Sequence, residues 1–131
     1  AQAIQQPARW GVDMHGLARW LMEVSEPDAL SLLSTHREML CDDGKRLLGY
    51  LLRRAERWSE ALPLWEELAR KDCVDSIERL AKYHEHLSKD LHAALHYCNR
   101  LPGSIQDRHR RERIDEKLRK QVQREILPDL L

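Results

Sequence analysis

A chain of 131 residues fits one domain or a short array of repeats and leaves little room for a two-domain enzyme. Its 22 Lys and Arg balance 22 Asp and Glu, so bulk charge gives no attraction to nucleic acid or membrane, and any such partner needs a local patch. A hydrophobic share of 42% with 34% charged residues and only 5 Gly and 5 Pro describes a soluble helical chain rather than a disordered one. No apolar run approaches the roughly 18 residues that span a membrane. Cys41, Cys73 and Cys98, an odd number at wide spacing, fit a reducing compartment, so the cytoplasm is the expected location. The chain opens Ala1-Gln2-Ala3 without an initiator Met or a signal-peptide pattern, which fits a piece of a longer parent.

In chain order, residues 1–11 read as a loose N-terminal segment and residues 12–131 as a single helical-repeat domain. Apolar residues recur three and four apart, and period-two β-branched runs are missing, so the expected class is all-α. Breaks fall at Glu26-Pro27-Asp28, Asp42-Asp43-Gly44, Arg57-Trp58-Ser59, Lys71-Asp72, Ser88-Lys89-Asp90 and Pro102-Gly103-Ser104. They predict helices over 12–24, 27–40, 43–56, 59–71, 74–88, 90–101 and 105–127.

The chain also repeats itself. A shift of 33 residues superposes Arg46 on Arg79, Leu47 on Leu80, Tyr50 on Tyr83, Ala61 on Ala94, Leu62 on Leu95 and Leu68 on Leu101. Two helical hairpins of one design follow, over 43–71 and 74–101, in which a small Ala on the second helix permits close packing against the first. Gly16 lies 33 before Gly49, and Ala29-Leu30-Ser31-Leu32-Leu33 echoes Ala61-Leu62-Pro63-Leu64-Trp65 with a one-residue shift, so 12–41 reads as a degenerate third hairpin. Residues 105–127 then close the array as a long capping helix.

Leu48-Gly49 with Leu52, followed by Trp58, Ala61 and Trp65, resembles the tetratricopeptide pattern of Leu-Gly, a large residue, then Ala with an aromatic four later. The second unit departs from it, with Ala81-Lys82 at the Leu-Gly pair, Glu85 at the large position and Cys98 at the aromatic one. The run from Ala81 to Tyr97 and the Arg-rich final helix also resemble the helical tail of bacterial ribonuclease H-like exonuclease proteins.

Helical spacing puts Arg46, Tyr50 and Arg53 on one face of one leading helix, and Arg79, Tyr83 and His86 on the equivalent face of the next. In tetratricopeptide arrays the leading helices line a peptide-binding groove, so the resemblance implies a basic, Tyr-bearing one. An Arg fork and a rigid Tyr wall suit a protein or peptide partner, either an acidic segment or a C-terminal carboxylate. The competing reading has the Tyr rings packing between helices and each Arg pairing with a nearby carboxylate.

Over residues 108–124 eight basic side chains face three acidic ones, the strongest charge bias in the chain. Ile114, Leu118 and Val122 give this helix a narrow apolar stripe for docking. Arg110, Arg111, Arg113, Lys117, Lys120 and Arg124 could contact phosphates, the alternative in which the chain is a nucleic-acid-contacting accessory domain of a larger nuclease-type protein. A pure oligomerisation module is a third alternative.

Catalysis has no visible basis. A ribonuclease H-type centre needs carboxylates clustered on a sheet, and no phosphate-cradling or nucleophile-elbow motif occurs. His92 and His96 are four apart, yet Cys98 points about 200° around the helix from His96, so neither a metal nor any other cofactor is expected. Cys98 and the four Trp residues, Trp10, Trp20, Trp58 and Trp65, read as core, with Trp58 in the turn before its helix.

Overall fold

Apolar residues three and four apart become helices throughout the computed structural model, which describes residues 14–130. Among those residues there are seven α-helices and no strand: α1 Met14–Val24, α2 Glu26–Thr35, α3 Asp42–Arg54, α4 Trp58–Arg70, α5 Val74–His86, α6 Leu91–Cys98 and α7 Ile105–Leu130. The loose segment expected over 1–11, and Trp10 with it, lies outside the described residues.

Two helices end three or more residues earlier than their periodicity predicts. The helix expected over 27–40 stops at Thr35, and a 3-10 turn over Arg37–Met39 follows, closed by Met39 N–H to His36 O and Leu40 N–H to Arg37 O. This tightening turns Leu40 into the core. The helix expected over 90–101 stops at Cys98, where Arg100 leaves the axis and its guanidinium bonds Ala69 O at 2.5 Å and Asp72 at 3.2 Å. An arginine thereby satisfies a carbonyl in the last turn of α4.

The chain divides into two compact units, Ala1–Trp65 and Glu66–Leu131. In the first, α1 packs on α2 and α3, and α2 packs on α3. Ala18, Ala29, Leu33, Leu48, Leu51 and Leu64 are buried at its centre. Ser25 caps α2 by accepting the Asp28 N–H, with Pro27 in the first turn where no N–H is needed. Trp65 is buried, and Gly49 faces it: a Cβ there would lie 2.6 Å from Trp65 Nε1. The Leu-Gly pair therefore exists because an indole occupies the space of a side chain.

The other tryptophans depart from the sequence reading. Trp58 is the first residue of α4, so it meets Trp65 along one helix, two turns apart, with ring centroids at 6.2 Å. Trp20 is 57% exposed because the α1 face buried on its neighbours is the one carrying Ala18 and Leu21.

In the second unit α5 packs on α6 and α6 on α7, around Leu68, Ile77, Leu80, Ala94, Cys98 and Ile114. α7 opens with a reciprocal cap: Ser104 Oγ accepts the Asp107 N–H, and Asp107 Oδ2 accepts the N–H groups of Ser104 and Gly103. The stripe expected to dock α7 holds only at its start. Ile114 is fully buried, Leu118 half-buried and Val122 exposed, because the 26 residues of α7 run about 39 Å while the 8 of α6 run about 12 Å.

Four of the six superposed pairs of the two hairpin sequences share their burial, whereas Leu47 is half-buried against a buried Leu80 and Arg46 exposed against a half-buried Arg79. Ala61 and Ala94 are fully enclosed, Leu68 and Leu101 are buried, and Tyr50 and Tyr83 are half-buried. Where Leu52 is buried on α3, Glu85 is buried on α5.

Candidate functional site

Arg46, Tyr50 and Arg53 lie on α3 in the first unit. Arg46 pairs with Asp43 on the same helix at 3.6 Å. The Tyr50 ring has the Arg53 guanidinium 5.5 Å and the Arg54 guanidinium 5.7 Å from its centroid, both within cation–π reach. Arg54 also bonds Glu26 on α2, which raises its pKa further and fixes it beside the ring. Tyr50 walls a cleft of about 400 Å³ with Arg19, Met22, Glu23 and Leu47, while Arg46 and Arg53 stand outside that lining. Its lining combines the apolar Met22 and Leu47 with one charge of each sign, Arg19 and Glu23.

Arg79, Tyr83 and His86 lie on α5 in the second unit. Tyr83 meets the His84 ring edge-on, and His84 stacks on Tyr97 with centroids 5.8 Å apart. His84 Nδ1 also shares a 2.8 Å hydrogen bond with Ser88 Oγ. Burial pushes the His84 imidazole below its ordinary value, against the opposing pull of Asp90 and Glu66. His92 and His96 are both exposed, with His96 edge-on to Tyr97. His86 turns instead toward Glu85 on its own helix, with Nε2 3.3 Å from Oε1.

The basic residues of α7 separate into two groups. Arg110 is buried, paired with Asp107 and with Glu78 at 3.5 Å each, so it serves the packing of α7 and not a surface. Arg113 is likewise committed, donating Nε to Glu85 Oε2 at 2.6 Å and Nη2 to Oε1 at 2.7 Å. Lys117 adds a third bond to Oε2 at 2.8 Å. Burial raises the Glu85 carboxyl, but these donors outweigh it and hold the group at about 2. Arg111, Lys120 and Arg124 remain exposed.

Lys117, Lys120, Gln121 and Arg124 line a second cleft of about 540 Å³ together with Glu85, Lys89 and Leu91. Lys89 sits in the turn between α5 and α6 in a left-handed conformation, φ 58°. Neither Lys89 nor the role of Glu85 followed from helical periodicity. A signal was nevertheless present: Glu85 occupies the register of buried Leu52, and a carboxylate at an apolar register requires a cationic partner from another element. Cys98 is buried in the second unit with its thiol pushed up by burial, Cys73 is half-buried and Cys41 is exposed, all three free. Comparison with protein-family models, with curated proteins and with solved structures finds no match to this chain.

Proposed function

We propose that the chain is a non-enzymatic, tetratricopeptide-like recognition module that holds a segment of a partner protein against the Tyr50 face of α3. In this reading α3–α4 and α5–α6 are two copies of one hairpin, supported by the shared burial of Ala61 with Ala94 and of Leu68 with Leu101. The observation that carries it is the Tyr50 ring, half-buried, flanked by the Arg53 and Arg54 guanidinium groups, and bordering a cleft lined also by Met22 and Leu47. Such a surface accepts an apolar side chain of an extended peptide and offers Arg donors to a neighbouring carboxylate.

The test is an array of immobilised peptides ending in an apolar residue, each with a free or an amidated C-terminus and with or without acidic residues. The chain is expected to retain a subset of peptides carrying a free carboxylate or an acidic residue. Tyr50→Ala, with helicity checked by circular dichroism, is expected to lose that subset by tenfold or more. Retention of the same peptides by Tyr50→Ala, or no selectivity for any carboxylate, would remove the reading.

A further inference from the structure

The cleft between the α5–α6 turn and α7 carries more positive charge than its carboxylate can neutralise. Both oxygens of Glu85 are occupied, Oε1 by Arg113 and Oε2 by Arg113 and Lys117 together, and its side chain has no exposed surface. Lys89, Lys120 and Arg124 share the same lining. The contact of Lys120 with Glu116 is 4.0 Å long and solvent-exposed, and among the described residues Lys89 and Arg124 have no ion pair. Lys117, Lys120 and Arg124 follow one another by three and four residues, so they stand in a row on one face of α7, separated by about 4.5 and 6 Å along its axis.

We propose that this cleft binds a ligand bearing two or more linked phosphate groups through Lys89, Lys117, Lys120 and Arg124. Three of the four cations are ammonium groups, compact point charges that can meet phosphate oxygens from several directions, and Arg124 adds a guanidinium fork that fits phosphate; the one carboxylate of the lining, Glu85, is already held by Arg113 and Lys117. A volume of about 540 Å³ exceeds what a single phosphate fills, and the cations of the α7 row are set far enough apart to meet different phosphates of one chain. No aromatic ring stands in the lining, so nothing there stacks on a base, and recognition rests on phosphate alone. The ligand's phosphates have two sources, a free polyphosphate or a nucleic-acid backbone.

Titration of the full chain with tripolyphosphate by calorimetry and with a fluorescent 12-nucleotide single strand by anisotropy, each from about 50 to 200 mM salt, tests the proposal. Binding of at least one probe is expected. For the oligonucleotide, three or four phosphate contacts give a slope of log K against log salt of about −2 to −3. Lys120→Gln/Arg124→Gln is expected to weaken either probe at least tenfold, whereas the charge-matched Arg108→Gln/Arg119→Gln, outside the cleft, leaves it unchanged. Tripolyphosphate that binds and displaces the oligonucleotide identifies a site able to take the free compound; oligonucleotide binding without it identifies the nucleic-acid backbone. Failure of both probes, or equal loss in the two double variants, overturns the proposal. It does not rest on the Tyr50 reading, which the peptide array tests separately.

Discussion

Replacing Glu85 by Gln removes the negative charge that two cations of α7 share while leaving the shape of the side chain almost unaltered. The folded carboxyl stands at about 2 against an ordinary 4.5, which at about 1.4 kcal/mol per pH unit corresponds to at most about 3.5 kcal/mol of stability. Arg113 and Lys117 are 46% and 39% exposed, so solvent relieves part of their loss, and a cost of about 2 kcal/mol at pH 7 is expected for Glu85→Gln. Because the folded value is depressed, the contribution is complete above pH 4.5 and is lost as pH falls toward 2. Urea unfolding at steps between pH 7 and pH 3 should therefore bring the wild-type and Glu85→Gln stabilities together below pH 4.5. Two curves that run parallel across that range, or equal stability at pH 7, would show that the ion pair does not hold α7 in place.

Gly49→Ala gains roughly 1 kcal/mol of helix propensity but drives a Cβ to 2.6 Å from Trp65 Nε1, an overpacking cost of about 1–3 kcal/mol. A net loss is expected in urea unfolding, and in a Trp65→Leu background the same substitution should become stabilising; a gain in both backgrounds would place Trp65 elsewhere. Glu56 lies just past the C-cap of α3 with φ 57°, its N–H on Arg53 O and the Arg57 N–H on Leu52 O. Glu56→Gly relieves that left-handed residue at some cost in unfolded-chain entropy, so a thermal melt should show a gain of about 0.5–1 kcal/mol, and a loss would mean that the Glu56 side chain is needed.

The features legible in the sequence were those encoded over one or two helical turns. Apolar spacing located all seven described α-helices, and the motif holding Gly49 and Trp65 was visible because both lie within one hairpin, although their contact was not. Trp20 and Val122 were misread because periodicity reports which residues share a face, not whether a neighbouring helix reaches it. Arg110 and Arg113 looked available for the same reason, since their partners Glu78 and Glu85 lie 32 and 28 residues earlier. Contacts at that separation depend on the docking of α7, which no local pattern specifies. Lys89 lines the cleft from the α5–α6 turn, at a positive φ where Gly or Asn is the usual choice, so no helical pattern includes it.

From Arg119 to Ile126 every side chain of α7 is exposed, although the backbone stays helical through Leu130. These turns take no free energy from burial, and a helix of that length alone in water is marginal. Their winding is thus a local helix–coil equilibrium hung on the anchored turn around Ile114. Amides near Ile114 should exchange with deuterium only when the unit opens, and those past Leu118 by fraying from the end. Since Lys120 and Arg124 are aligned only while the turns are wound, the affinity of any anion for them scales with the wound fraction, and its arrival would register as slowed exchange along the overhang.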